Sequence, residues 1–114
     1  MKNKLLILGS GGHGRVVADV AEKTKFFQEI SFLDNIFLNS NFSKSVNSKK
    51  VIGEISKSSI KKYSSEFSHA FVGIGDNIMR INWFKMLENM NFEIPTIIDP
   101  SAEISKYAVL ERGA

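Results

Sequence analysis

Short apolar segments alternate along the chain with segments in which apolar residues recur at helical spacing. Lys4–Leu8 is an apolar run that stops at a glycine, and it predicts a buried strand. Valines and alanines at helical spacing in residues 16–21 predict a helix that reaches about Thr24. Residues 30–33 predict a second strand, which ends directly before an aspartate.

The middle of the chain has a weaker pattern. Residues 39–50 consist mostly of Asn, Ser and Lys, which predicts an exposed loop. Residues 51–53 return briefly to the core, and residues 54–65 predict a short polar helix.

The pattern becomes clear again from residue 69 onward. Residues 69–75 predict a third strand, and Asp76 is placed to cap a helix that extends to about Met90. The apolar residues of this helix fall on one face and are expected in the core: Met79, Trp83, Met86, Leu87 and Met90. Residues 94–98 predict a fourth strand.

Strands that alternate with helices indicate an α/β fold. We expect a Rossmann-like open parallel sheet of about four strands with flanking helices. In such sheets, ligands bind outside the carboxyl ends of the strands, where the winding direction switches. The polar and glycine-rich segments 9–14, 34–35 and 73–77 each follow a predicted strand, so they are expected to line one crevice.

Length and composition narrow the functional classes. The chain has 114 residues, about the size of one small domain. It contains no cysteine, which excludes disulfides, thiolate metal sites and a cysteine nucleophile, and two histidines are too few for an all-imidazole zinc site. No apolar run approaches ~18 residues and the apolar start is too short for a signal peptide, so we expect a cytoplasmic protein with no membrane partner.

The formal net charge of +3 comes mostly from lysine. The largest group of lysines is set among serines and asparagines: Lys44, Lys49, Lys50, Lys57, Lys61 and Lys62. Nucleic-acid surfaces more often interleave arginines and aromatic residues with the lysines. We therefore interpret this group as a solvated face and expect no nucleic-acid partner.

A glycine loop links the first strand to the first helix. Gly9, Gly11 and Gly14 satisfy G-x-G-x-x-G, and Asp34 lies 20 residues beyond the last of them, at the end of the second strand. Glycines allow a positive φ and close backbone approach, and the free N–H groups of a helix N-terminus attract phosphate. The loop predicts a phosphate or nucleotide site, and the alternative is a tight strand-to-helix turn with no ligand.

The other candidate residues are weaker indications of function than the glycine loop. His13 is placed to donate to a phosphate or sugar, or it is a surface histidine of the turn; His69 opens a strand and is expected to be structural. A complete dinucleotide site needs a second mononucleotide-binding half, which disfavours NAD in a chain this short. No nucleophile with an adjacent base and no acid–base pair of carboxylates can be placed, so no catalytic residue and no metal ligand is predicted.

After Pro100 the sequence changes character. Alanines recur every six residues from Ala102 to Ala114, with Ile104 and Leu110 at a constant offset. A six-residue period is typical of a left-handed parallel β-helix, although two turns of it can arise by chance. We expect a nucleotide-binding domain over residues 1–98 and the first turns of a hexapeptide β-helix over residues 99–114.

Several motifs together resemble the NeuD/PglD-type sugar acetyltransferases. The segments that carry the resemblance are Ile-Leu-Gly-Ser-Gly-Gly-His-Gly at 7–14, Phe-Leu-Asp at 32–34, Gly-Ile-Gly-Asp-Asn at 73–77 and Ile-Asp-Pro-Ser-Ala at 98–102. The resemblance spans essentially the whole chain, and the histidine-containing glycine loop is its most specific element.

The resemblance implies that two domains have different roles. In that family, the N-terminal α/β domain binds a nucleotide-activated sugar, typically UDP-linked, while the β-helix binds acetyl-CoA, trimerises and carries the catalytic histidine. By resemblance, the substrate-binding residues of this chain are those of the glycine loop and of the two following strand ends: Gly9, Ser10, Gly11, Gly12, His13, Gly14, Asp34, Asn35, Gly75, Asp76 and Asn77.

The chain departs from the family because the β-helix is missing beyond its first turns. The resemblance therefore implies a truncated or excised domain that binds a nucleotide sugar without catalysing. It would need no cofactor itself, with acetyl-CoA serving the intact parent, and it would be monomeric, whereas the parent would be a homotrimer. Two alternatives remain: a small NAD(P)-binding redox domain, and a scaffold module whose glycine loop is empty.

Overall fold

A mixed five-stranded sheet forms the centre of the protein, which a computed structural model describes over residues 3–95. The strands are β1 (Lys4–Leu8), β2 (Glu29–Leu33), β3 (Ser45–Val46), β4 (Lys49–Gly53) and β5 (His69–Val72). Their order across the sheet is β3-β4-β2-β1-β5, and only the β3–β4 pair is antiparallel. The predicted α/β class is confirmed. Within residues 3–95 the sheet has five strands instead of about four, and the β3–β4 pair departs from the expected parallel arrangement.

Three helices cover the two faces of the sheet: α1 (Gly12–Thr24), α2 (Lys57–Tyr63) and α3 (Asn77–Asn89). Alternate residues of β1 point to opposite faces. Leu5 and Ile7 pack in the cluster that includes Val17 of α1, whereas Leu6 and Leu8 share a cluster with residues of α2 and α3. The sheet is therefore buried on both faces, which explains the unbroken apolar run of β1. None of the described helices is long and apolar enough to cross a membrane.

The predicted loop over residues 39–50 is wrong in its second half, where β3 and β4 form a hairpin. Asn47 and Ser48, between the two strands, have φ of 50° and 67°, the left-handed conformation that two-residue hairpin turns require. Lys49 is buried in β4, and its ammonium lies 3.2 Å from the Glu22 carboxylate. A paired, buried lysine breaks the apolar pattern that otherwise marks a core strand.

The end of the described chain returns to the sheet. Glu93 forms a parallel bridge with His69, and its carbonyl accepts from the N–H of Ala70 at 3.1 Å. Pairing beside β5 thus begins one residue before the predicted fourth strand. Residues 96–98 of that strand, the domain boundary at residue 98 and the hexapeptide segment lie outside the described residues.

Candidate functional site

The carboxyl ends of three neighbouring strands are aligned. Leu8 at the end of β1 is in register with Leu33 of β2 and with Val72 of β5. Each strand is followed at once by a residue of the glycine loop or of the polar segments, namely Gly9, Asp34 and Gly73. The chain passes from β1 through β2 to β4 on one side and then crosses to β5 on the other, so a topological switch point lies between β1 and β5.

An open cavity of about 420 Å³ occupies this switch point. The glycine loop forms one side of it, the end of β2 another, and the segment after β5 the third. Its lining residues are Gly9, Gly11, Gly12, His13, Asp34, Ile55, Gly73, Ile74, Gly75 and Met79. The sequence therefore predicted the location of this crevice correctly.

Some glycines at the crevice are required by packing. Gly9 has a φ of 102°, which L side chains rarely adopt, and its N–H donates to the carbonyl of Leu33 at 2.8 Å. A Cβ on Gly14 would overlap the carbonyl oxygen of Gly9, and a Cβ on Gly73 would lie 2.7 Å from the Cα of Gly14. These three backbones pack directly together and hold the start of α1 against the ends of β1 and β5.

Other glycines at the crevice are not required by packing. A Cβ on Gly11, Gly12 or Gly75 would meet nothing within 4 Å. Gly11 is the N-cap of α1 and provides no side chain to the first helical turn, whose N–H groups have no intrahelical partner. The absent side chains therefore leave an open surface over the positive end of the helix dipole, where an anion can approach the backbone.

Asp34 is held in place by three hydrogen bonds. Its Oδ2 accepts from the N–H of Ser10 at 2.7 Å and from the Ser10 hydroxyl at 2.8 Å, and its Oδ1 accepts from the N–H of Ile36 at 2.9 Å. Partial burial acts to raise the pKa of this carboxyl, but the bonds from Ile36 and Ser10 outweigh it and lower the pKa below its ordinary value. Asp34 is thus a fixed carboxylate on the crevice wall.

The two histidines have different surroundings. His13, in the first turn of α1, is exposed and lines the crevice. His69 is 5% exposed at the opposite, amino end of the sheet; its Nδ1 lies 2.6 Å from the Ser68 hydroxyl and its Nε2 lies 3.0 Å from the Glu93 carboxylate. The ring of His69 also makes edge contacts with Phe26 and Phe27. These contacts give His69 a structural role, as the sequence predicted.

Five of the candidate residues do not line the cavity: Ser10, Gly14, Asn35, Asp76 and Asn77. The polar ones hydrogen-bond to other groups of the protein. The Asn35 amide oxygen accepts from the N–H of Ile55 at 3.1 Å, and Asp76 caps α3 by accepting from the N–H of Met79 at 2.9 Å. The amide oxygen of Asn77 accepts from the Arg80 guanidinium at 3.0 Å.

Ile55, Ile74 and Met79 give the crevice an apolar side. Ile74 lies in the segment 73–77 that was expected there, but sequence reasoning missed Ile55 and Met79. Met79 was expected in the core, but it is 50% exposed, whereas Leu87 on the same helix is fully buried. The signal that could have identified Met79 is position, because it lies in the first turn of the helix that follows β5 and so close to the carboxyl end of that strand. Within residues 3–95, no group of three or more His, Asp or Glu side chains is placed to hold a metal ion.

Known proteins are similar to this chain in fold and in sequence. The PglD N-terminal domain family matches residues 4–87. The acetyltransferase domain of PglB from Neisseria gonorrhoeae, solved with acetyl coenzyme A, is 32% identical with a TM-score of 0.74, over 88% of this chain and 45% of that chain. PerB from Caulobacter crescentus, solved with CoA and GDP-perosamine, has a TM-score of 0.70 at 23% identity, over 87% of this chain and 44% of that chain.

The chain therefore spans less than half the length of these solved proteins. The family match covers most of the chain and includes the glycine loop, Asp34 and the segment after β5. The resemblance found in the sequence is confirmed: the chain belongs to the PglD N-terminal domain family, the N-terminal domain of the PglD/NeuD-type sugar acetyltransferases.

Proposed function

We propose that this chain is the nucleotide-sugar-binding domain of an acetyl-CoA-dependent sugar O- or N-acetyltransferase of surface polysaccharide or glycan biosynthesis. It binds a nucleotide-activated sugar, with a UDP-sugar as the first candidate, and it does not catalyse acetyl transfer itself. The observation that carries the proposal is the open glycine surface at the switch point. Packing would allow a side chain at Gly11, Gly12 and Gly75, so these glycines leave space for a ligand.

The crevice has three chemically distinct parts, and they fit the parts of a nucleotide sugar. The N–H groups at the start of α1 are complementary to a diphosphate, and His13 beside them can donate to a phosphate or sugar oxygen. The Asp34 carboxylate repels phosphate and accepts hydrogen bonds, so the nucleoside or sugar hydroxyls belong on its side. Ile55 and Met79 offer apolar surface to a flat base or to the carbon face of a sugar.

Acetyl transfer is assigned to the rest of the parent protein. Solved relatives were crystallised with acetyl coenzyme A or with CoA and a nucleotide sugar, and their chains are more than twice as long as the part that this chain matches. Exposed apolar residues that do not line the cavity lie in the segments after β1, β2 and β5: Val16, Ile36, Leu38, Ile78 and Ile81. We assign these residues to contact with a β-helix domain whose first turns are residues 99–114, in a homotrimeric parent. A cytoplasmic location stays a prediction.

The binding claim is tested by titrating ¹⁵N-labelled protein with UDP. Amide shifts are expected at Gly11, Gly12, His13 and Gly75, while the amide of His69 at the other end of the sheet serves as the internal control. The absence of shifts at millimolar UDP would contradict nucleotide binding.

Each of the two alternatives has a test of its own. A small NAD(P)-binding redox domain would bind NADH much more tightly than UDP, so the two ligands are compared in direct competition. A scaffold module with an empty glycine loop would tolerate Gly12→Ala in the parent enzyme without loss of activity, whereas the binding proposal requires a raised KM for the sugar nucleotide.

A further inference from the structure

Ser10 lies in the glycine loop but turns away from the crevice. It is 8% exposed and does not line the cavity, although its neighbours Gly9 and Gly11 do. Both of its donors, the backbone N–H and the hydroxyl, point at the same oxygen of Asp34. This convergence spans β1 and β2 and is not required by the strand pairing itself, which ends at Leu8 and Leu33.

We propose that Ser10 is a positioning residue that fixes Asp34 so that this carboxylate offers a single open acceptor position to the ligand. The inference rests on the proposed nucleotide-sugar site and assigns a role within it. Asp34 then receives one hydrogen bond, from a lone hydroxyl or N–H of the nucleoside.

The acceptor count supports this assignment. An ionised carboxylate has about four acceptor positions, two on each oxygen. The two donors of Ser10, at 2.7 and 2.8 Å, occupy both positions of Oδ2. The N–H of Ile36, at 2.9 Å, occupies one position of Oδ1, so one position on Oδ1 remains. A ligand edge with two parallel donors would leave one of them without an acceptor, which is costly in a partly buried site.

The fixed carboxylate of Asp34 is also ionised. The hydrogen bonds from Ser10 and Ile36 favour the ionised form of Asp34 against the effect of burial. Among the residues that line the cavity, His13 of α1 is the other titratable group. The acceptor therefore stays charged at neutral pH and lies directly beside the glycine loop, to which the bonds from Ser10 tie it.

The first experiment measures the Asp34 carboxyl by carbon-detected NMR titration in the wild-type chain, Ser10→Ala and Ser10→Thr. Ser31→Ala is the matched control, because Ser31 is also buried, lies on β2 three residues before Asp34 and gives its hydroxyl to a different carboxylate, Glu29. We expect Ser10→Ala to raise the pKa of Asp34 and to weaken UDP binding about threefold to tenfold, since a bond to a charged group is lost. Ser10→Thr should restore both, and Ser31→Ala should change neither.

The outcomes distinguish the role of Ser10 from the binding of a nucleotide. An unchanged Asp34 pKa in Ser10→Ala, with or without weaker UDP binding, would overturn the positioning role. Failure of the wild-type chain to bind UDP would contradict the proposed function. It would also contradict the claim that Asp34 accepts one hydrogen bond from the ligand. The NMR titration needs no ligand, so it would still decide whether Ser10 holds the carboxylate.

The second experiment tests the single acceptor position with three probes that each lack one donor: 2′-deoxy-UDP, 3′-deoxy-UDP and 3-methyl-UDP. The affinity of each relative to UDP is measured in the wild-type chain and in Asp34→Ala. We expect one probe to bind about tenfold more weakly than UDP in the wild type and to lose that deficit in Asp34→Ala. Loss of the deficit for two or three probes would overturn the single-acceptor assignment, and so would loss for none.

Discussion

The Cα of Gly14 faces the carbonyl oxygen of Gly9 so closely that a Cβ on Gly14 would overlap that oxygen. The two residues are the last and the first glycine of the loop, and they bring the start of α1 against the end of β1. Gly73 closes the same contact from β5, with its N–H donating to the carbonyl of Leu8 at 2.7 Å. The crevice is thus shaped by three backbones in direct contact.

Substitution of Gly14 by alanine should destabilise the domain. The new methyl group would push α1 away from the sheet, where Val17 and Ala18 are buried, and such overpacking costs about 1 to 3 kcal/mol. Urea denaturation followed by circular dichroism would measure the loss. An unfolding free energy equal to that of the wild type would contradict the contact between Gly14 and Gly9.

Substitution of Gly12 by alanine should weaken UDP binding without destabilising the domain. A Cβ on Gly12 meets nothing within 4 Å, and alanine is favoured over glycine in a helix by up to about 1 kcal/mol, so stability should stay equal or rise. The methyl group would instead occupy the surface over the first-turn N–H groups, and UDP binding should weaken about tenfold or more. Isothermal titration calorimetry on the Gly12→Ala and Gly14→Ala pair separates binding from folding, and undiminished UDP affinity in Gly12→Ala would count against a phosphate site on this loop.

The parts of the fold that were predictable from sequence are those whose pattern depends on local burial. β1 was predicted to the residue because every residue from Leu5 to Leu8 is buried, which leaves an uninterrupted apolar run. The start of α3 was predictable because its cap is local: Asp76 bonds the N–H of Met79, three residues away. The hairpin of β3 and β4 was missed because β4 depends on long-range partners, with Val51 in register with Phe32 and Lys49 paired with Glu22.

The candidate site was likewise predictable only in part. The glycine spacing and the strand context located the crevice, since backbone topology alone brings strand ends together. His13 and Asp34 line it as expected, but the directions of the other polar side chains were not predictable. Ser10 and Asn35 lie in the expected segments, but tertiary hydrogen bonds to Asp34 and Ile55 turn them to support the walls. The apolar wall was hidden because an exposed methionine and a core methionine look the same in a periodic pattern.

The two histidines give a matched pair of substitutions. His13→Ala should leave stability within about 0.5 kcal/mol, because the side chain is exposed, and should weaken UDP binding about threefold to tenfold. His69→Ala should destabilise the domain by about 2 kcal/mol or more, because it opens a cavity beside Phe26 and Phe27 and leaves the Ser68 hydroxyl and the Glu93 carboxylate without this partner. UDP affinity, measured at a temperature where both variants are folded, should be unaffected by His69→Ala, and a loss there would refute its placement away from the site.

Acid should remove a part of the stability that Asp34 supplies. Its pKa is lower in the folded chain than the value of about 3.9 for an unfolded aspartate, so the unfolded state takes up a proton first as the pH falls. The contribution of Asp34 is therefore fully present above about pH 5 and is lost progressively as the pH falls through 4 toward the lowered pKa. Asp34→Asn has no proton to gain, so the stability difference between the wild type and this variant should be larger at pH 6 than at pH 3. Urea denaturation of both proteins at the two pH values measures this difference, and Asp19→Asn, which removes an exposed carboxylate from α1, is the control. A difference that stays constant or grows toward pH 3 would mean that the Ser10 and Ile36 bonds do not stabilise the ionised form.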